Sequence, residues 1–169
     1  MNNRINHTPS MADTIQGKNN YFDSAVEFVI NQEGREYENN PNDPGGETKY
    51  GISKRSWPSV DIKNLTESQA KDIYRKNYWD ALECDKYGDY KLATIVFDSG
   101  VNCGVAITKK WISDLTLAGK LTADNVIAKR LRRYVEISHA NPNFLVVRKG
   151  DGYCILQDWD MRLARLLEL

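Results

Sequence analysis

The sequence predicts a mainly α fold that carries a small β-hairpin lobe near its N-terminus. Three observations predict it. Apolar residues recur at three- and four-residue spacing through most of the chain after Tyr21, which is the signature of helices burying one face. One stretch, residues 39–46, concentrates Asn, Asp, Pro and Gly, and a short β-like run follows it. The 169 residues are 41% hydrophobic and 27% charged, a composition that suits one soluble globular unit and excludes wholesale disorder.

The elements follow in order. Residues 1–20 are polar and read as a flexible tail. From Tyr21, the stripe Phe22, Ala25, Val26, Val29 and Ile30 predicts a helix that ends at Asn31-Gln32-Glu33, with Gly34 as its stop. Asn39 to Gly46 forms consecutive turns, and Glu47 to Ile52 follows as a short strand, so an irregular hairpin is expected between Arg35 and Ile52. Thr66 and Gln69 make a capping box that opens a helix carrying Ala70, Ile73, Tyr74 and Tyr78. Leu92 to Asn102 is the most apolar segment and predicts a central buried helix stopping near Gly104. Val105–Leu117 and Asp124–His139 read as amphipathic helices. Ile155, Leu156, Trp159, Leu163, Leu166 and Leu167 predict a last helix docked on the core. Trp57, Trp79, Trp111 and Trp159 are expected in the core.

Several function classes drop out. Net charge is zero, without the basic excess of a dedicated nucleic-acid binder, so no nucleic-acid partner is expected. No run reaches eighteen apolar residues, so no stable membrane insertion is expected, and the polar N-terminus lacks the apolar run of a signal peptide. Three cysteines without CxxC spacing and two isolated histidines argue against a disulfide framework, a metal site or any cofactor. Charge is uneven: residues 1–100 hold 12 basic and 16 acidic side chains, and residues 101–169 hold 11 and 7. The basic C-terminal half suits either an anionic polymer or membrane surface, or a solvated helix face.

The informative chemistry lies between Glu33 and Ile52. A carboxylate at the end of an amphipathic helix, followed by a Gly-rich hairpin with Asp43 and Thr48, sits where a cleft rim would keep it protonated for general acid work. Glycoside cleavage needs such an acid, because the leaving oxygen is protonated as the oxocarbenium-like state develops. Glu36 is a rival carboxylate, but Glu33 holds the register of the helix stripe. Tyr37 and Tyr50 either stack on sugar rings or pack the lobe onto the body. Asp98 and Asn102, at i and i+4 in the apolar helix, either line a cleft or bond internally, and Asn102 is the better contact for a sugar amide.

The stretch EGREYENNPNDPGGETKYGIS resembles the signature of glycoside hydrolase family 108, the bacterial and phage N-acetylmuramidases. LTESQAKDIYRKNYWDAL and LATIVFDSGVNCG resemble later blocks of that family, and the segment from Val105 through ILQDWDMRLARL resembles its accompanying peptidoglycan-domain segment. The resemblance covers residues 22–168. It implies a lysozyme-like α+β fold with a cleft between helical body and β lobe. A catalytic segment would span 21–90 and a peptidoglycan-domain-like helical segment 91–169, packed into one unit. It maps the essential acid onto Glu33 and the hairpin pair onto Asp43 and Thr48, with Tyr50 at the following aromatic position. The family has Gly-Tyr after Glu-Gly, where this chain reads Arg35-Glu36-Tyr37. Phage-type lysozymes also carry their Asp one position earlier, where Asn42 stands here.

The activity implied is hydrolysis of the β-1,4 bond between N-acetylmuramic acid and N-acetylglucosamine in peptidoglycan glycan strands. Alternatives on the same groove are a lytic transglycosylase, a catalytically inactive wall-binding module, and a chitinase-like enzyme. A monomer is expected, made in a bacterial cytoplasm and acting on the wall after release through a holin or an export system, as a phage endolysin or a bacterial relative would.

Overall fold

The computed structural model of the protein describes residues 11–39, 46–140 and 162–169. The chain opens on helix α1, Met11–Glu33. This helix starts ten residues before the predicted Tyr21, so residues 11–20 are not the tail that their polarity suggested. Once a helix is nucleated, each further residue adds a hydrogen bond at little cost. The predicted stripe holds: Ala25, Val26, Val29 and Ile30 are wholly buried and Phe22 nearly so. Gly34, at φ 92°, ends the helix with its N–H bonded to the Ile30 carbonyl.

The β lobe is a small meander. Glu38 pairs antiparallel with Thr48, exchanging N–H···O bonds of 2.8 and 2.9 Å. Strand β1, Thr48–Lys49, then pairs with β2, Ile52–Ser53. The run predicted as one strand from Glu47 to Ile52 is therefore broken by a two-residue turn at Tyr50-Gly51. Both turn residues have positive φ, 52° and 74°, the left-handed geometry that matches hairpin twist. Ile52 is buried and anchors the lobe to the body.

Helix α2, Glu67–Tyr74, begins with the predicted capping box. Thr66 Oγ1 accepts from Gln69 N–H, and Gln69 Oε1 accepts from Thr66 N–H. The helix widens into a π-helical turn at Arg75–Trp79, and a 3-10 turn follows at Cys84–Lys86. Helix α3, Tyr90–Cys103, is capped by Asp89 and stops at Gly104; its residues 93–100 are all buried. Helices α4, Val105–Leu117, and α5, Ala123–Ala140, fall within a residue of expectation. Residues 162–167 are helical, with Leu163 and Leu166 buried in the same core as α1 and α3.

α3 is the central element, packed by α1, α4 and α5. Phe97 at its middle stands edge-on to Phe22, Tyr74 and Trp79, with ring centroids 5.5–6.2 Å apart. Trp79 and Trp111 are core residues and Trp57 is half-buried, while Trp159 lies outside the described residues. Among the described residues, buried side chains from Phe22 to Leu166 belong to one core around α3.

Candidate active site

Glu33 stands at the last position of α1, where Gly34 turns the chain away and the glutamate stem lies against the β lobe. Its side chain is 27% exposed. The lobe closes on it from one side. A Cβ built on Gly51 would lie 2.7 and 2.8 Å from Glu33 Cβ and Cγ, and 2.6 Å from the Tyr74 hydroxyl, so the turn backbone rests directly on the glutamate stem. The Tyr74 hydroxyl donates to the Tyr50 carbonyl at 2.9 Å, tying the turn to α2. Burial, then the Glu33 charge, pushes the Tyr74 phenol far up, so it remains a donor at neutral pH. Tyr78, half-buried in the π-helical turn, is raised by the same two causes in the same order, which places it in the field of Glu33.

From the other side, the C-terminal helix supplies Arg162. Its Nη1 donates to Glu33 Oε1 at 2.5 Å, while Nε and Nη2 donate to Asp98 Oδ1 at 2.9 and 2.5 Å. Asp98 is fully buried, and its second oxygen accepts from Arg130 Nη1. Arg130 Nε donates to the Tyr134 hydroxyl, which donates in turn to Asn102 Oδ1 at 2.6 Å. An unbroken chain of hydrogen bonds thus runs from Glu33 to Asn102. Burial opposes ionisation of Asp98, but the guanidiniums of Arg130 and Arg162 outweigh it and hold the carboxyl below the usual carboxylate range. Burial likewise opposes the Arg162 charge, and Asp98 and Glu33 outweigh it and hold the guanidinium charged.

The structure places the predicted residues unequally. Glu33 meets the β lobe at Gly51, the residue after Tyr50. Thr48 is half-buried, and its hydroxyl donates to the Gly46 carbonyl at 3.3 Å. Tyr50 is half-buried, with the Lys49 ammonium 5.4 Å from its ring centroid. Tyr37 donates to Glu47 Oε1 at 2.9 Å, which ties it to the lobe. Asn102 is half-buried and spends its carbonyl oxygen on Tyr134. Asp98, considered for sugar contact, is instead sealed from solvent with both oxygens given to arginines. Asp43 lies outside the described residues. Glu36 is exposed.

Arg35, the main departure from the family motif, points away from the lobe. It donates to Glu27 at 2.5 Å and Glu67 at 2.6 Å, and Lys71 bridges the same two carboxylates. Its role is to join α1 to α2. Among the described residues no cluster of His, Cys, Asp or Glu could hold a metal ion, and no helix is long and apolar enough to cross a membrane. Burial pushes the Cys84 and Cys103 thiols up, which keeps them protonated and poor nucleophiles.

Arg162, Arg130, Tyr134, Tyr74 and Tyr78 were not singled out for the site from the sequence. The two arginines carried no local signal, because Arg162 is 129 residues from the carboxylate it binds.

A mostly helical body with a small two-stranded antiparallel sheet is consistent with a lysozyme-like α+β fold. Residues 26–104 match the model of the family glycosyl hydrolase 108, as the motif resemblance implied. That match supports a glycosidase of the peptidoglycan-hydrolase kind. Among solved structures the chain is similar to Brucella abortus SagA, at 24% identity and a TM-score of 0.67, over 89% of this chain and 93% of that one. This likeness shows the shared fold. No curated protein matches the chain.

Proposed function

We propose that the protein is an N-acetylmuramidase that hydrolyses the β-1,4 bond between N-acetylmuramic acid and N-acetylglucosamine, with Glu33 as the general acid. The observation that carries this reading is the setting of Glu33. It ends a helix whose inner face is buried, its stem is packed by Gly51, and one carboxyl oxygen accepts from Arg162. Among the described residues Oε2 accepts no hydrogen bond and is the oxygen that would carry the proton to the glycosidic oxygen. Asp43 and Thr48 would support the water that attacks C1 from the opposite face, Asp43 as base or electrostatic stabiliser. Tyr50 and Tyr37 would stack on sugar rings, and the Asn102 amide N–H, with its carbonyl already engaged by Tyr134, would donate to an acetamido carbonyl. The wall lies outside the cytoplasmic membrane, so a chain made in the cytoplasm would reach it through a holin-type lesion or an export system, as an endolysin does.

Digestion of purified peptidoglycan sacculi, with products read by mass spectrometry, tests the reading. The wild type should release fragments with reducing muramic ends. Glu33→Gln, close to isosteric and outside the core, should fold normally and lose roughly 10²–10⁴-fold in rate, the usual contribution of a general acid. Anhydro-muramic ends would identify a lytic transglycosylase instead. Intact sacculi that retain the protein would leave a wall-binding module, and a Glu33→Gln variant of undiminished rate would remove Glu33 from the reaction.

A further inference from the structure

We infer that Arg162 is a positioning residue for Glu33, and that the helix at residues 162–167 completes the catalytic unit. The inference rests on the reading of Glu33 as general acid. The family match ends at residue 104, yet the guanidinium that holds Glu33 comes from the last eight residues.

The geometry assigns each group a task. Asp98, at the centre of α3, takes Nε and Nη2 of Arg162 on one oxygen, which leaves Nη1 directed at Glu33. Arg130 occupies the other oxygen of Asp98, so the aspartate cannot turn away from Arg162. The set lies out of solvent: Asp98 and Arg130 are wholly buried and the Arg162 side chain is 9% exposed. A buried, doubly held guanidinium is stiff, and a stiff fork binding one carboxyl oxygen fixes the rotation of the carboxyl group. The segment is itself anchored: Leu163 and Leu166 are buried, Arg165 donates to Gln32 Oε1, and Lys91 Nζ donates to the Leu167 carbonyl at 2.6 Å. Gln32 and Glu33, the last two residues of α1, are thus both held by the C-terminal helix.

Arg162→Lys keeps a cation beside Asp98 but loses the fork that reaches both carboxylates. It should fold, with kcat on soluble glycan strands lowered by about 10–10²-fold and KM unchanged, the scale expected when a reacting group is displaced by a fraction of an ångström to an ångström. Leu166→Ala is the comparison, because it weakens the anchoring of the segment and leaves the fork in place. It should melt at a lower temperature than the wild type yet, assayed below that temperature, turn over at the wild-type rate. Arg162→Lys turning over at the wild-type rate would overturn the positioning role while the muramidase reading stood. Equal kcat losses in Arg162→Lys and Leu166→Ala would also overturn it, showing the segment to be an anchor alone. A wild type that leaves sacculi intact would overturn the muramidase reading and this role with it.

Discussion

Among single residues, Gly51 illustrates how one side chain's absence shapes the site. Its φ of 74° is a region that side-chain-bearing residues adopt only with strain, and the space a Cβ would need is taken by Glu33 and the Tyr74 hydroxyl. Gly51→Ala should therefore cost about 1–3 kcal/mol in stability from backbone strain. It should also push the turn off the Glu33 stem, lowering kcat on soluble glycan strands more than KM. Thermal melting and steady-state kinetics on the same preparation check both parts, and an alanine variant of wild-type kcat would show that the turn does not set the position of Glu33. Tyr50 sits at positive φ too, where tyrosine is uncommon, and the bond from Tyr74 to its carbonyl holds it there. Arg35 shows the converse. It stands two residues after Glu33, but its ion pairs with Glu27 and Glu67 turn it toward α2, away from the Glu33 carboxyl.

Elements whose signals are local were legible in the sequence; elements that depend on distant partners were not. The stripe of α1, the bounds of α4 and the capping box of α2 all follow from spacings of three or four residues. The capping box also yields a measurable expectation. Thr66→Ala removes the acceptor for Gln69 N–H and should cost about 1 kcal/mol, or roughly 2–4 °C in melting temperature for a chain of this size. A shift below the error of the melt would mean that the tertiary contacts of Ala70 and Tyr74 hold the helix start without it. The hairpin turn escaped because Tyr-Gly is a weak turn signal beside the Asn-Gly or Asp-Gly pairs that favour this geometry. The residue that stabilises it, Tyr74, lies 24 positions away. The π-helical turn at Arg75–Trp79 has no local signal either, although it brings Tyr78 into the field of Glu33. For the candidate site, the motif singles out Glu33, Thr48 and Tyr50, whereas the arginines that bond to Glu33 and Asp98 have no such mark, because nothing near 130 or 162 in sequence signals a partner on α1 or α3.

At the scale of the whole molecule, Asp98 joins three helices by charge where the apolar core alone would leave them free to shift. It sits on α3, Arg130 on α5 and Arg162 on the C-terminal helix, and Glu33 extends the set to α1. Such a buried set is costly to desolvate, so its worth lies in specifying one arrangement, and breaking it costs more than its formation gained. Asp98→Asn leaves two buried guanidiniums short of a carboxylate and should destabilise the protein at neutral pH by about 3–5 kcal/mol. The pH dependence follows from the direction of the Asp98 shift. Its folded pKa is depressed, so the unfolded chain binds the extra proton first as pH falls, and stability is lost in that range. The contribution is fully present above the unfolded aspartate value of about 3.9 and disappears as pH drops through the lower folded value. Melting curves should accordingly show the wild type losing stability steeply below about pH 4. The gap between wild type and Asp98→Asn should narrow over the same interval, because the variant has no carboxylate there to protonate. Parallel curves for the two proteins down to pH 2 would mean that Asp98 is not the group whose protonation loosens the core, and would shift attention to half-buried carboxylates such as Glu27, whose pKa the Lys71 bond lowers against the opposing effect of burial, with the Arg35 bond adding to it.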